Sequence, residues 1–274
     1  MVERMKGGSV GQPTFLAEGF PPGVKDFDFQ SWIPSLRDSD WGLAFTKITF
    51  MVWLAVAIII VFFLVTYRSP KLVPDRKQWL AESIYGFIRE GVAKDVIGHE
   101  GLRFAPYLTT LFCFIAVTNI FAIIPLFQIS PNSHIAFPAI LGIISYVMFI
   151  YLGIKKHGAA KYFRTNLFMP GIPWPLYFLI TPIEFISTFL TRPVTLAVRL
   201  FANMFAGHLM LLVFTLGGVA MLGSANVLVM GLSVFSFLMA IVMTFFEVMV
   251  IFLQAYVFAM LTASYIQGAI ADEH

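Results

Sequence analysis

Long runs of apolar residues, separated by short polar segments, dominate the chain from residue 44 onward. About twenty apolar residues form an α-helix long enough to cross a bilayer. Runs of that length lie at 44–67, 105–127 and 135–153, and two runs of about twice that length follow, at 176–215 and 227–268. The pattern predicts an all-α integral membrane protein with about five membrane-spanning helices.

The last two runs are the most unusual part of the pattern. A helix of about forty residues extends ~60 Å, which is twice the ~30 Å thickness of the hydrocarbon core. These helices must therefore tilt, bend or run partly along the membrane plane. The uncharged, glycine-containing linker at 216–226 indicates a turn. Residues 176–268 are thus expected to form a long, tilted antiparallel hairpin.

A polar segment at 77–101 follows the first run and is too charged to span a membrane. Apolar residues recur at helical spacing on one side of it, namely Leu80, Ile84, Phe87, Ile88, Val92 and Val96. Charged residues occupy the other side, namely Glu82, Arg89, Glu90, Lys94 and Asp95. This amphipathic pattern predicts a helix on the cytoplasmic membrane surface.

Basic residues are distributed unevenly between the loops. They follow the first and third runs, as Arg68, Lys71, Arg76 and Lys77 and as Lys155, Lys156, Lys161 and Arg164. The turn after the second run and the linker at 216–226 contain no Lys or Arg. Because cytoplasmic loops are enriched in cations, the two basic loops are expected inside a cell membrane. The N-terminal segment 1–43 is then outside, and the C-terminus is cytoplasmic.

Composition agrees with a membrane protein. Of the 274 residues, 59% are hydrophobic and 12% are charged, against roughly 45–50% and about 25% in soluble domains. The chain divides into the extracytoplasmic segment 1–43 and a multi-pass membrane domain at 44–274, which leaves no room for a separate soluble catalytic domain. The net charge of +3 does not indicate nucleic acid, since the cations lie beside apolar runs. The one cysteine, Cys113, cannot form an internal disulfide.

Several ionisable and polar residues interrupt the two long runs. They are Glu184, Arg192, Arg199, His208 and Glu247, with Asn203 and Gln254 as neutral polar residues. A charged side chain near the centre of a spanning helix costs at least ~2.5–3.5 kcal/mol, so such residues are candidates for function. Arg192 adjoins Pro193 and lies near enough to the cytoplasmic side to snorkel. Arg199 is seven residues deeper, too far to snorkel easily.

The depth of these residues follows from the hairpin. In an antiparallel pair of helices, residues at one depth have a constant sum of residue numbers, which places Arg199 level with Gln254 and His208 level with Glu247. The second pair lies about 13 Å farther out than the first, and Glu184 lies about 22 Å toward the cytoplasm.

Helical periodicity predicts which of these side chains lie on the same face of a helix. Glu247 and Gln254 share one face of the last helix, together with Ser236 and Tyr265. Nine residues place Arg199 and His208 on opposite sides of an ideal helix. The two could face one partner only if the helix were bent or π-bulged near Gly207.

The order of these groups suggests two polar half-pathways with a barrier between them. An arginine cannot be deprotonated in a protein. Arg199 could therefore block protons while attracting a carboxylate from another chain. Neutralisation of Arg199 by Glu247 is the structural alternative, but it would have to bridge about 10 Å in depth.

Two stretches, RPVTLAVRLFANMFAGH at 192–208 and FEVMVIFLQAYVFAMLTASY at 246–265, resemble subunit a of the F-type ATP synthase. The resemblance is specific over 181–267, and TNIFAIIP at 118–125 supports it more weakly. Many bacterial members carry the acid and the histidine in the reverse order to His208 and Glu247, and Ala202 here replaces a common glycine.

The resemblance implies a non-catalytic stator subunit that works against a ring of subunit c, in a complex that includes subunit b of the peripheral stalk. It assigns proton translocation to Arg199, Asn203, Gln254, His208, Glu247 and Glu184. A proton would enter at the level of His208 and Glu247, neutralise a carboxylate on the ring, and leave near Glu184 after nearly a full turn. No cofactor or metal is implied.

Two other classes of protein compete with this interpretation. A secondary transporter with an intramembrane arginine would need a substrate cavity made by this chain without a ring. An intramembrane hydrolase could draw on Ser187, Ser236 and His208, but no spacing among these residues recommends a catalytic dyad.

Overall fold

A computed structural model describes residues 46–68, 71–124, 127, 129–167, 174–223 and 226–271. Every regular element in these ranges is helical. Five of the helical segments described are long and apolar enough to cross a membrane: Lys47–Tyr67, His99–Ile120, Ala136–His157, Ile180–Leu222 and Val227–Ile270. The predicted all-α, multi-span architecture is confirmed. The predicted N-terminal segment 1–43 lies outside the described residues.

The α-helices are numbered here in chain order. They are α1 (Lys47–Tyr67), α2 (Arg76–Ile88), α3 (Ala105–Ile120), α4 (Ala136–His157), α5 (Ala159–Leu167), α6 (Trp174–Phe185), α7 (Arg192–Leu222) and α8 (Val227–Ile270). Two π-helical segments, Arg89–Ile97 and Ile186–Thr191, follow α2 and precede α7, and short 3-10 helices lie at His99–Phe104 and Pro131–Ser133. Helix α8 has 44 residues and is therefore ~66 Å long, which agrees with the predicted long hairpin.

A helix is present in the segment predicted to lie on the membrane surface, but it ends earlier than expected. α2 continues as the π-helical segment Arg89–Ile97, which stops at Gly98 with a φ of 90°. That φ lies in the left-handed region that favours glycine, a common way to end a helix. The end predicted at residue 101 was wrong because His99 already begins the next spanning segment.

The apolar residues of the surface helix have two kinds of surroundings. Ile88 and Val92 are fully buried against neighbouring helices, whereas Leu80 and Phe87 are 46% and 53% exposed. On the polar side, Lys94 donates a hydrogen bond of 2.9 Å to Glu90, which holds the pKa of that exposed carboxyl below its ordinary value. The segment can therefore pack on protein and still offer apolar side chains to lipid.

The linker between the two long helices is shorter than predicted. α7 extends to Leu222, so Gly217 and Gly218, expected in the linker, are helical. The ring of Phe237 approaches within 3.1 Å of the place where Gly218 would carry a Cβ atom. This close packing of α7 on α8 outweighs the weak helix propensity of glycine.

Two compact units divide the structure, and Ala206–Val248 belongs to one of them. The described residues before Ala206 and after Val248 belong to the other. Each contains part of α7 and part of α8. In the Ala206–Val248 unit, Ser236 Oγ donates a hydrogen bond of 2.7 Å to the carbonyl oxygen of Phe214.

Three clusters of buried apolar residues hold the larger unit together. One joins α3, α4, α7 and α8 through residues that include Leu111, Leu141, Leu196, Leu200, Met204, Ile251 and Phe258. A second joins the surface helix to α3, α4, α5 and α8, and a third packs Met51 and Ala55 of α1 on Phe121. Because lipid is as apolar as these side chains, close packing rather than water exclusion favours the contacts. Of the five spanning segments described, the second, His99–Ile120, is the most buried: 56% of its apolar 18-residue stretch is buried. It therefore lies at the centre of this packing.

Gly101 offers a test of this packing. A Cβ atom there would overlap the carbonyl oxygen of Ala93, whereas nothing lies within 4 Å of a Cβ atom at Gly91. Because a backbone atom cannot move aside easily, we expect Gly101→Ala to destabilise the protein by about 1–3 kcal/mol. Thermal unfolding of the detergent-purified complex would show a lower Tm. Gly91→Ala is the matched control and should leave the Tm unchanged or raise it; equal Tm values for both variants would contradict the close approach.

Candidate functional site

Glu184 lies near the end of α6, just before the π-helical segment Ile186–Thr191. Pro193 explains why the helix here has wide, π-helical turns. Pro193 has no N–H for the carbonyl four residues back, and its ring would clash with that carbonyl in an α-helix. In the wide turn the N–H of Arg192 bonds instead to the carbonyl of Ser187, five residues back. The Thr191 hydroxyl likewise donates to the carbonyl of Ile186, at 3.1 Å.

Thr188 binds the Glu184 carboxylate. Its Oγ1 atom donates a hydrogen bond of 3.0 Å to Glu184 Oε1. Thr188 is fully buried, while Glu184 is half-buried. The sequence analysis did not single out Thr188. Its position four residues after an intramembrane acid, one helical turn away, was the available signal.

Arg199 lies on the exposed face of α7, beside Val198 and Ala202. The opposite face carries Leu196, Leu200 and Met204, which are almost completely buried. Among the residues that the structure describes, no carboxylate lies within 4.0 Å of the Arg199 guanidinium. The charge therefore points away from the packed core of the chain.

Asn203 and Gln254 join α7 to α8 one helical turn from Arg199. Asn203 Nδ2 donates a hydrogen bond of 2.7 Å to Gln254 Oε1. Gln254 is 3% exposed, and its Nε2 atom has no hydrogen-bond partner among the described residues. The common depth of Gln254 and Arg199 stays a prediction, and the hydrogen bond of Gln254 is with Asn203.

His208 and Glu247 are both buried in the Ala206–Val248 unit, with 8% and 3% exposure. The Glu247 carboxylate lies against Gly207, and its Oε1 atom is 3.4 Å from the place of a Cβ atom on that glycine. Neither oxygen of this carboxylate accepts a hydrogen bond from the part of the chain that the structure describes. A buried polar group without partners costs free energy, so the position is a candidate for function.

The region around Gly207 is regular. α7 is α-helical from Arg192 to Leu222, and the π-helical turn nearest to it precedes Arg192. The π-bulge that the sequence analysis considered near Gly207 is therefore absent. Arg199 is exposed and His208 is buried, so the two side chains have different surroundings.

Arg192 has a ring contact within the larger unit. Its guanidinium carbon lies 5.5 Å from the centre of the Tyr265 ring, a distance suited to a cation–π interaction. The snorkelling predicted for Arg192 stays a prediction, and the contact gives this cation an aromatic neighbour within its own chain.

A second polar cluster lies where α3 ends and contains Thr118 and Asn119, the first residues of the motif at 118–125; its other two members, Ser130 and Asn132, were not predicted. Asn132 Nδ2 donates to Thr118 Oγ1 at 2.9 Å and to Asn119 Oδ1 at 2.7 Å. Ser130 Oγ donates to the same Asn119 oxygen at 3.1 Å. All four residues are at most 2% exposed. The cluster ties the turn after α3 to the end of that helix; Pro125, part of the motif at 118–125, lies outside the described residues.

Five apolar helices in the described ranges, with ionisable residues on the last two as candidates for function, give the chain the features of a multi-pass membrane protein. Within the described ranges, no group of three or more His, Cys, Asp or Glu side chains could hold a metal ion. Residues 49–267 match the family model of the ATP synthase A chain, and the protein belongs to that family.

Curated relatives agree over most of the chain. ATP synthase subunit a of a Nocardioides species is 41% identical over 268 residues, which cover 95% of this chain and 97% of the relative. ATP synthase subunit a of Rhodococcus erythropolis is 40% identical over 275 residues, covering 99% and 98%. That of a Parafrankia species is 49% identical over 208 residues, covering 75% and 69%. The resemblance found in the sequence is confirmed.

The bond between Asn203 and Gln254 can be measured by a double-mutant cycle. Asn203→Leu and Gln254→Leu should each destabilise the purified complex, and together by less than the sum, because each single change removes the same hydrogen bond. The coupling should be about 0.5–1.5 kcal/mol. Asn203→Leu combined with Gln267→Leu, an exposed position on α8, is the control and should be additive. Additive effects in both cycles would contradict the bond.

Proposed function

We propose that the chain is the proton-conducting stator subunit of an F-type ATP synthase and works against a ring of subunit c. It performs no covalent chemistry and needs no cofactor. Family membership supports its place in the synthase, and the curated relatives carry the name ATP synthase subunit a. The geometry around Arg199 supports the proposed mechanism.

The exposed guanidinium of Arg199 is the observation that carries the proposal. A permanent cation in an apolar span is costly unless it is paired. The described part of the chain supplies no acid within ion-pair distance, and the face around Arg199 bears small or short side chains such as Ala202 and Thr195. Small residues let a partner helix approach closely. A carboxylate on a neighbouring membrane subunit would meet both conditions.

The remaining polar groups supply two proton routes in this proposal. His208 and Glu247, both buried, would deliver protons from the outer side to the ring. Glu184, held by Thr188 at 3.0 Å, would receive them on the inner side. Along the chain these groups lie on either side of Arg199, as two half-pathways separated by a barrier require.

Rotation follows from the cost of charge in lipid. A ring carboxylate that has taken up a proton is neutral and can move through lipid, where its ionised form would be too costly. When it reaches the inner route it releases the proton, and Arg199 then stabilises the anion. Since Arg199 stays charged, protons cannot pass directly between the routes. Each proton that crosses ~100 mV contributes about 2.3 kcal/mol, so several are needed for one ATP.

We also propose the arrangement of the complex in the cell membrane. In this arrangement the surface helix and the C-terminus lie in the cytoplasm and segment 1–43 lies outside, which the enrichment of cations in the two basic loops supports. Besides the c-ring, subunit b of the peripheral stalk and the lipid bilayer are the expected neighbours. A solitary secondary transporter remains the alternative, and it would transport its substrate after purification without any ring.

Replacement of Arg199 tests the barrier. Arg199→Ala should abolish proton-driven ATP synthesis in inverted membrane vesicles, because nothing then stabilises the ionised ring carboxylate between the two routes. A passive proton leak through the membrane sector, measured by acridine-dye quenching after the catalytic head is stripped, is the expected accompaniment. Arg192→Ala, on the same helix but stacked on Tyr265, is the matched control and should retain most of the synthesis. Coupled synthesis by Arg199→Ala at the control's rate would refute the barrier role.

Exchange of His208 and Glu247 tests whether they act as a pair. The variant with both His208→Glu and Glu247→His keeps one acid and one imidazole in the same buried unit. We expect it to support more ATP-driven proton pumping than either single change, because each single change leaves two like groups. Complex assembly, followed by the amount of ring that co-purifies, controls for folding. A double variant no more active than the better single variant would count against coupling of the pair.

A further inference from the structure

A basic cavity lies beside the ends of three membrane-spanning segments, and its lining includes none of the residues proposed to carry protons. Its volume is about 370 Å³. Its lining includes the charged residues Glu100, Arg103, Lys155 and Lys156 and the apolar residues Phe104 and Leu152. All of them belong to the larger compact unit. The cavity thus combines positive charge with an apolar wall.

The three cations of the lining differ in their contacts. Glu100 lies 3.7 Å from Arg103 and 3.9 Å from Lys156, the long end of ion-pair distance. Lys156 also donates a hydrogen bond of 2.6 Å to the carbonyl of Ile270 at the end of α8. Lys155 is exposed, and its Nζ atom lies 5.9 Å from the centre of the Tyr151 ring. Lys155, by contrast with the other two cations, has no carboxylate within 4.0 Å among the described residues.

An exposed apolar stripe on α4 leads to the cavity. Ile140, Ile144, Val147 and Tyr151 are 53%, 48%, 57% and 57% exposed, and Lys155 continues the same three- or four-residue spacing. From Ile140 to Lys155 the helix rises about 22 Å, which exceeds the ~15 Å depth of one leaflet's hydrocarbon. The stripe is thus long enough to accommodate an acyl chain beneath a headgroup at Lys155.

We propose that this cavity binds the phosphate headgroup of an anionic phospholipid, with one acyl chain along the stripe on α4. Arg103 and Lys155 would contact the phosphate, and Phe104 and Leu152 would contact the upper part of the glycerol and acyl region. Basic pockets between helix ends on the cytoplasmic side have the charge that acidic headgroups need. Because the cavity is distinct from the groups assigned to proton transfer, the proposal does not depend on that mechanism.

Photo-crosslinking in the assembled complex tests the proposal. Detergent-purified, delipidated complex would be titrated with phosphatidylglycerol that carries a diazirine in one acyl chain, and crosslinked peptides would be located by mass spectrometry. We expect saturable crosslinking to the exposed α4 stripe. The variant with Arg103→Ala and Lys155→Ala should bind this lipid about 30-fold more weakly, and Lys155→Ala without the second change about 5-fold more weakly.

Matched controls separate this site from general charge attraction. The variant with Lys71→Ala and Arg76→Ala removes the same number and kind of cations outside the cavity and should crosslink like the wild type. Unlabelled phosphatidylglycerol should compete, whereas phosphatidylcholine and inorganic phosphate should not. The proposal fails if the two double variants weaken binding equally, if phosphatidylcholine competes equally well, or if inorganic phosphate displaces the probe.

The acidic C-terminal residues are the competing occupant. Asp272 and Glu273 follow Ile270 closely in the sequence and could supply the negative charge themselves. Deletion of residues 272–274 should leave the crosslinking unchanged if lipid is the native occupant. A several-fold increase after deletion would assign the cavity to the chain's own carboxylates and overturn the proposal.

Discussion

The guanidinium of Arg199 carries a charge that no protein environment can remove, and the chain holds it on the exposed face of a spanning helix. The opposite face of α7 is packed with apolar side chains that are almost completely buried. One turn away, Asn203 and Gln254 bind each other through uncharged amides. Nothing in this arrangement neutralises the charge from within the described part of the chain. The packing orients Arg199 outward, and in the proposed mechanism a carboxylate of the ring pairs with it.

The polar side chains in the spanning helices fall into two kinds. Most threonines donate to the carbonyl four residues earlier on their own helix, as Thr109, Thr110, Thr118, Thr195, Thr215, Thr244 and Thr262 do. Each of these hydroxyls thus makes a hydrogen bond to nearby backbone and does not require a second helix for one. Glu247 and Gln254 cannot do so, and each keeps a buried polar atom without a hydrogen bond from the described residues. The threonines are therefore stable in an apolar helix without a role in function. The buried polar atoms of Glu247 and Gln254, in contrast, require a function or a bound water to explain them.

The spanning helices could be predicted from the sequence because their length is fixed by the membrane and their composition by lipid. The long hairpin was recognised for the same reason. Local features that depend on packing were harder to predict. The linker was placed too early because Gly217 and Gly218 look like turn residues until the ring of Phe237 is seen against Gly218. Residue numbers gave only the depth of Gln254, level with Arg199, and could not show that its amide binds Asn203.

The wide turn before Arg192 was not predicted either. Pro193 indicated that the helix is distorted nearby. Hydrophobic periodicity does not show whether a helix bends, breaks or forms a π-helical turn at a proline. Thr188 was missed together with it. Threonine is common in apolar spans, and only the structure shows that this one turns its hydroxyl toward Glu184 rather than toward a backbone carbonyl.

The π-helical segment Ile186–Thr191 also affects how this protein is compared with its relatives. A wide turn contains an additional residue for nearly the same rotation about the helix axis. A chain with an ordinary α-helical turn at this place would reach the equivalent of Glu184 one residue sooner when counted back from the arginine. Alignments of this region should therefore permit a single-residue gap between 186 and 191. Without that gap, the acid of one chain would be matched to a neighbouring apolar residue of the other.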